Sequence, residues 1–173
     1  MEEIVNRVQN SGLLAVDLAD YLPSEKELEP FDFAPRLWNE LILKEKDFRV
    51  FLGEHDWTIY QGKHVYLFCS VEAILPSWAF MIVSSKLTGI AATVTVGEKQ
   101  DAKQAAMAQK IGLLDQNDYI DAKLIIKGCS DIPNPEAMMS LFLQKVQPVC
   151  SSIMYGEPCS TVPIYKRPKV KQV

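Results

Sequence analysis

The sequence predicts an α/β protein in three layers, a mostly parallel sheet with helices on both faces and an N-terminal α+β cover. Two observations carry this. From His64 onward, short apolar or β-branched runs alternate with helix-favouring stretches, the order that right-handed crossovers convert into parallel strands between helical layers. The helical stretches also start near proline or asparagine and stop near glycine or proline, where the backbone tolerates those residues. A chain of 173 residues buries roughly 70% of its unfolded surface. A single domain over 1–173 is therefore expected to fold without disulfides or a structural metal.

Residues 1–60 are expected to form the cover. Ile4, Val5 and Val8 fit one side of a short helix that Ser11-Gly12 breaks, and Leu14, Val16 and Leu18 alternate with Ala15 and Asp17 as in a half-buried strand. An acidic, irregular stretch follows, punctuated by Pro23, Pro30 and Pro35. Leu41, Phe48, Phe51 and Leu52 then keep a helical period up to Gly53.

The α/β core is expected over 61–165. His64 to Cys69 reads as a strand buried on both faces. Pro76 opens a helix through Trp78, Phe80 and Val83 to about Leu87, and Ala92 to Val96 is β-branched and stops at Gly97. Gln100 to Leu114, rich in Ala, Lys and Gln, favours a helix. Lys123 to Lys127 is the third strand of the core, closed by Gly128. Asn134-Pro135 supplies a cap and first position for a helix that Pro148 ends, Ser152 to Tyr155 is the fourth strand, and Thr161 to Tyr165 adds an edge strand that tolerates Pro163.

Charge excludes the simplest nucleic-acid reading, since 18 Lys+Arg against 22 Asp+Glu leave a net −4 and counterion release needs a basic surface. Thirteen acids face six bases within residues 1–60, whereas Lys166, Arg167, Lys169 and Lys171 crowd a tail over 166–173 that reads as solvated chain. No apolar run is long enough to cross a bilayer and the start lacks a signal-peptide pattern, so a soluble cytoplasmic protein is expected, with neither nucleic acid nor membrane as partner. In that reducing compartment cysteines are more often free, catalytic or metal-bound than paired.

A single parallel sheet turns the four cysteines into a geometric expectation. Ligands bind outside the carboxyl ends of such strands. Cys69 ends the first core strand, Cys129 follows the third, and Cys159 lies just past the fourth in Gly156-Glu157-Pro158-Cys159. Cys150 precedes its strand and is expected to be structural. Three thiolates suit zinc or iron, and His55 in the loop Glu54-His55-Asp56-Trp57 is the candidate fourth ligand, with Glu157 another; His64 opens its strand and falls at the opposite edge. The spacing matches no standard zinc or iron–sulfur motif, and a cysteine at a strand end is commonly plain core. A second reading makes Cys129 or Cys69 a nucleophile, because each precedes a turn into a helix whose positive end lowers a thiol pKa; neither has an identifiable base other than a distant His55. Trp57 and Trp78 are expected to be core packing.

Several segments resemble one family. These are Glu2-Glu3-Ile4-Val5-Asn6-Arg7-Val8 with Ser11-Gly12-Leu13, Leu43 to Arg49, His55-Asp56-Trp57 with Tyr60-Gln61-Gly62-Lys63, Cys69-Ser70, Pro76 with Trp78-Ala79, Ile126-Lys127-Gly128-Cys129, and Ser152 through Pro163. Together they resemble the uncharacterised bacterial family called domain of unknown function 2480, over nearly the whole chain. The resemblance supplies no activity and no catalytic residue. It implies a gene-neighbourhood association with the sulfur-mobilisation machinery of iron–sulfur cluster assembly, and it places Cys69, Cys129 and Cys159, but not Cys150, within family motifs. The expectation is thus a cytoplasmic accessory factor that handles metal or sulfur through Cys69, Cys129 and Cys159, with iron–sulfur assembly proteins as partners. The alternatives are a thiol enzyme acting on a small molecule and a partner-binding module without chemistry.

Overall fold

A computed structural model describes residues 13–127, 131–157 and 160–168. The expected helix around Ile4, Val5 and Val8, the positions of Cys129 and Cys159, and most of the basic tail lie outside the described residues. In chain order the elements are β1 (Leu13–Val16), β2 (Leu28–Asp32), α1 (Glu45–Glu54), β3 (His64–Phe68), α2 (Ser77–Leu87), β4 (Thr93–Val96), α3 (Lys99–Gly112), β5 (Lys123–Ile126), α4 (Pro135–Val146), β6 (Ser152–Glu157) and β7 (Ser160–Lys166), joined in places by short 3-10 turns.

The α/β class and the parallel pairing agree with expectation, but the strands belong to two sheets rather than one. Contacts group the chain into two compact units, one drawn from Met1–Leu22 with Met107–Val173 and the other Pro23–Ala106. We call them the split unit and the inserted unit. The inserted unit holds the order β2-β3-β4, all parallel, with Phe31 opposite Leu67 and Leu67 opposite Val96. The split unit holds the order β1-β5-β6-β7, parallel except for the final β6–β7 pair. The first sixty residues therefore do more than cover a core: they supply one edge strand to each sheet.

In the inserted unit, burial recurs every fourth residue on the helices, at Phe48 and Leu52 of α1 and at Ala79, Val83 and Leu87 of α2. That spacing keeps one helical face pointed at a core, and these side chains cluster with Phe31, Phe33, Val65 and Leu67 from the sheet. The expected helix from Leu41 starts later, at Glu45, because Trp38 to Ile42 form a tight hairpin. Gly53 lies inside α1, and His55 is the residue that ends it.

The split unit repeats the logic. Met138, Phe142 and Val146 of α4 share one face and pack with Leu124, Ile126 and Ile153. Leu124, Ile125 and Ile126 are all buried, as expected for a central strand covered on both faces. Asn134 precedes α4 in the left-handed region, φ 46°, and Pro135 takes the first helical position. β7 is an edge strand and accommodates Pro163 beside a register shift at Ile153/Met154. Among the described residues no helix is long and apolar enough to cross a membrane.

Candidate functional site

The three parallel strands of the inserted unit end together, and hydrogen bonds lock that edge. Phe33 N–H donates to Phe68 O at 2.9 Å and Gly97 N–H donates to Leu67 O at 3.1 Å, so the ladder continues past the strand ends. The Asp32 carboxylate joins β2 to β3: Oδ1 accepts from Ala34 N at 2.9 Å and from Ser70 N at 3.0 Å, and Oδ2 accepts from Ser70 Oγ at 2.6 Å. Burial alone raises the Asp32 pKa, yet these bonds from Ser70 and Ala34 prevail and hold the carboxyl below its usual value. The edge is consequently a fixed platform from which the loops project.

Those loops present apolar side chains to solvent. In the loop after β2, Asn39 and Glu40 both have positive φ, 51° and 57°. This conformation closes a hairpin in which Trp38 and Ile42 bridge, with Trp38 N–H donating to Ile42 O at 2.7 Å. The loop after β3 spans Cys69 to Pro76 and bends at Ser70 and Val71. Leu41 and Ile42 from the first loop and Glu72, Ala73 and Ile74 from the second line an open groove of about 810 Å³. Ile74 is 92% exposed and Leu41 61%, far from the burial expected of branched apolar residues. Val96, the last residue of β4, is also exposed at this edge.

Cys69 follows β3 on this platform, half-buried against the aromatic core. The strands that precede Cys129 and Cys159 in sequence, β5 and β6, belong to the other sheet. The single-sheet premise for one three-thiol edge therefore no longer stands. Among the described residues no group of three His, Cys, Asp or Glu side chains is arranged to hold a metal ion. Cys150 is fully buried in the split-unit core, where burial pushes its thiol pKa up against a smaller opposing effect of Arg167. Glu157 is an exposed residue ending β6. His64 is buried at the start of β3, its Nδ1 hydrogen-bonded to Thr93 Oγ1 at 2.9 Å.

His55 ends α1 inside an aromatic cluster rather than in a plain surface loop. Its ring lies 4.9 Å from Phe51, 4.9 Å edge-on from Trp57 and 6.0 Å edge-on from Phe31. Nε2 and Tyr60 Oη share a hydrogen bond of 3.2 Å. Burial, reinforced by the Arg36 charge and opposed by Asp56, lowers the His55 pKa. Burial and the Glu29 charge push the Tyr60 hydroxyl up to about 12 against the pull of Arg36. Both groups are uncharged at neutral pH, which suits a packing role for His55.

A pH dependence follows from the sign of that shift. The folded state holds neutral His55 more strongly than the unfolded chain, whose histidine titrates near 6.5. Stability from this residue is fully present above that value and is lost as pH falls through it toward the lowered folded value. Urea midpoints measured between pH 7.5 and 5 are expected to decline more steeply in the wild type than in His55→Phe. Equal slopes would contradict the packing of a neutral imidazole.

The hairpin and the Ile74 segment have weak sequence signals. Residues 19–40 read only as an acidic, proline-punctuated stretch, and Leu41 fits a helical period with Phe48. The paired positive φ at Asn39 and Glu40 is half signalled by an asparagine; nothing in a glutamate announces it.

Fold and site together define an α/β domain with an open apolar groove at the edge of a parallel sheet. The chain belongs to the family described as protein of unknown function (DUF2480), whose model matches residues 2–167. No curated protein and no solved structure matches the chain.

Proposed function

We propose that the chain is a non-catalytic, cytoplasmic partner-binding module that docks another protein on the carboxyl edge of the β2-β3-β4 sheet. The carrying observation is the groove lined by Leu41, Ile42 and Ile74, with Ile74 92% exposed on a locked platform. Contiguous exposed apolar surface of this kind marks interaction sites in water-soluble proteins. Burying an isoleucine or leucine fully is worth about 1.5–3 kcal/mol, so three such side chains suffice to anchor a contact. The test is site-specific photo-crosslinking in the native host. A photoreactive residue at position 74 is expected to give a discrete adduct that the Leu41→Ser background removes, while one at exposed Lys86 of α2 gives none. Absence of an adduct at position 74, or the same adducts from both positions, would sink the reading.

A second reading keeps the thiols and the iron–sulfur context. β5 and β6 are neighbouring parallel strands in register, and Cys129 and Cys159 each follow one of them in sequence. That adjacency supports a site on the split unit for zinc, iron or transferable sulfur, serving iron–sulfur assembly. Elemental analysis and persulfide labelling of anaerobically purified protein, wild type beside Cys129→Ser, Cys159→Ser and Cys69→Ser, test it. Metal or persulfide lost in the first two variants is the expected result, and none in the wild type overturns it.

A further inference from the structure

Resting on the docking reading above, we infer that the segment received by the groove carries apolar side chains flanked by lysine or arginine. The three strand ends at this sheet edge and the segments that follow them share a composition. After β2, exposed Leu41 and Ile42 adjoin Glu40; after β3, exposed Ile74 lies two residues from Glu72; at the end of β4, exposed Val96 lies two residues before Glu98. None of these glutamates makes an ion pair with a described residue. Glu72 itself lines the groove.

Three cations close in sequence to these loops, Arg36, Lys44 and Lys99, contact other groups. Arg36 lies with its guanidinium carbon 3.7 Å from the centroid of the Phe51 ring, and the Lys44 ammonium lies 4.1 Å from that of Trp38, contacts that hold a cation to an aromatic face. Lys99, which opens α3 just past Glu98, pairs with Glu25. The loop from Cys69 to Pro76 contains no base at all. The edge therefore presents apolar side chains fringed by three carboxylates that make no ion pair with a described residue.

That pattern selects among occupants. A second copy docking through the same face would set Glu40, Glu72 and Glu98 near their symmetry mates, because a two-fold contact is self-complementary, and like charges brought together are costly. An anionic surface is repelled for the same reason. A segment with an apolar centre and basic flanks meets both features: its centre fills the groove while its flanks pair with the fringe.

The experiment uses the full chain and three fluorescein-labelled octapeptides, read by fluorescence anisotropy at low salt. One has a Leu-Phe-Ile centre with lysine flanks, the second the same centre with glutamate flanks, and the third lysine flanks around serines. The first is expected to bind about tenfold or more tighter than either control, about 1.4 kcal/mol or more in binding free energy. Glu40→Lys/Glu72→Lys is expected to weaken it about tenfold, again about 1.4 kcal/mol, and to improve the glutamate-flanked peptide. Leu41→Ser/Ile74→Ser is expected to remove binding of both, and Glu54→Lys, on exposed α1 surface, to change nothing. Circular dichroism confirms that each variant folds. Equal binding of the lysine- and glutamate-flanked peptides, no binding of the first peptide, or a dimer dissolved by Leu41→Ser/Ile74→Ser would each overturn the inference. An adduct at position 74 alongside any of these outcomes leaves the docking reading standing and rejects only the partner's chemistry.

Discussion

Replacing Phe33 by alanine is expected to lower the unfolding free energy of the inserted unit by about 3–5 kcal/mol, the range for deleting a buried aromatic ring from a packed core. Phe33 has no solvent exposure. Its ring centroid lies 4.7 Å from that of Phe80, 5.1 Å from Phe31 and 5.9 Å from Phe48, joining α1 and α2 to the sheet. It is also the first residue past β2, and its N–H extends the ladder to Phe68. The cavity would open beside the strand end that leads into the Trp38 hairpin, so the docking proposed for this edge is expected to weaken together with stability. The protein offers a clean probe: its three tryptophans, Trp38, Trp57 and Trp78, all lie within Pro23–Ala106. Urea unfolding followed by tryptophan fluorescence should show a lower midpoint with an unchanged slope, which separates lost stability from altered compactness. A loss below about 1 kcal/mol would mean that neighbours collapse into the space, contrary to a rigid core.

Much of the fold was legible because parallel strands buried on both faces are nearly continuous apolar runs. Val65 and Leu67 of β3, Leu124 to Ile126 of β5 and Ile153 of β6 announce themselves without help from distant residues. The four-residue spacing of Met138, Phe142 and Val146 does the same for α4. β2 was not legible. Leu28-Glu29-Pro30-Phe31-Asp32 is acidic and contains proline; it is a strand because β3 pairs with it on one side, and an edge position tolerates Pro30. The division into two sheets was hidden for a related reason. β4, α3 and β5 have the texture of a crossover unit, yet β5 pairs with β1 and β6 and not with β4. Pairing across more than a hundred residues, Leu13 opposite Lys123, leaves no local trace.

The candidate site was legible in part. The expectation that ligands gather at strand carboxyl ends points to the same kind of edge as the docking proposal, and Cys69 follows β3 at that edge. The three-thiol grouping depended on a single sheet and lost its premise with it. What marks the edge instead, exposed apolar side chains beside glutamates that make no ion pair with a described residue, depends on which residues remain uncovered after folding. A leucine in a loop and a leucine in a core look alike in sequence.

Gly156→Ala is the second substitution with a large expected effect, a loss of about 2–5 kcal/mol in the split unit. Gly156 lies in β6 at φ 119°, opposite Thr161 of β7, in a region that side-chain-bearing residues rarely adopt. Placing alanine in a left-handed conformation costs roughly 1–2 kcal/mol. The added Cβ would also stand 2.5 Å from Ser160 O and 3.5 Å from Thr161 Cα, and forcing such contacts costs roughly 1–3 kcal/mol more. The obstacle is backbone, so relief requires β7 to move away from β6. Gly97 provides the contrast. Its φ of 139° is equally demanding, but a Cβ there would meet the side chain of Asp101, with Cγ at 3.0 Å. That side chain can rotate away at the cost of its 2.7 Å bond from Glu98 N–H, worth about 0.5–1.5 kcal/mol. Gly156→Ala should therefore destabilise more than Gly97→Ala. Hydrogen exchange should show lost protection at the amides pairing β6 with β7 in the first variant and only near the start of α3 in the second. Equal costs, or intact β6–β7 protection in Gly156→Ala, would show that the hairpin shifts without breaking its ladder, and the close approach of Ser160 O would then not be what makes glycine necessary at this position.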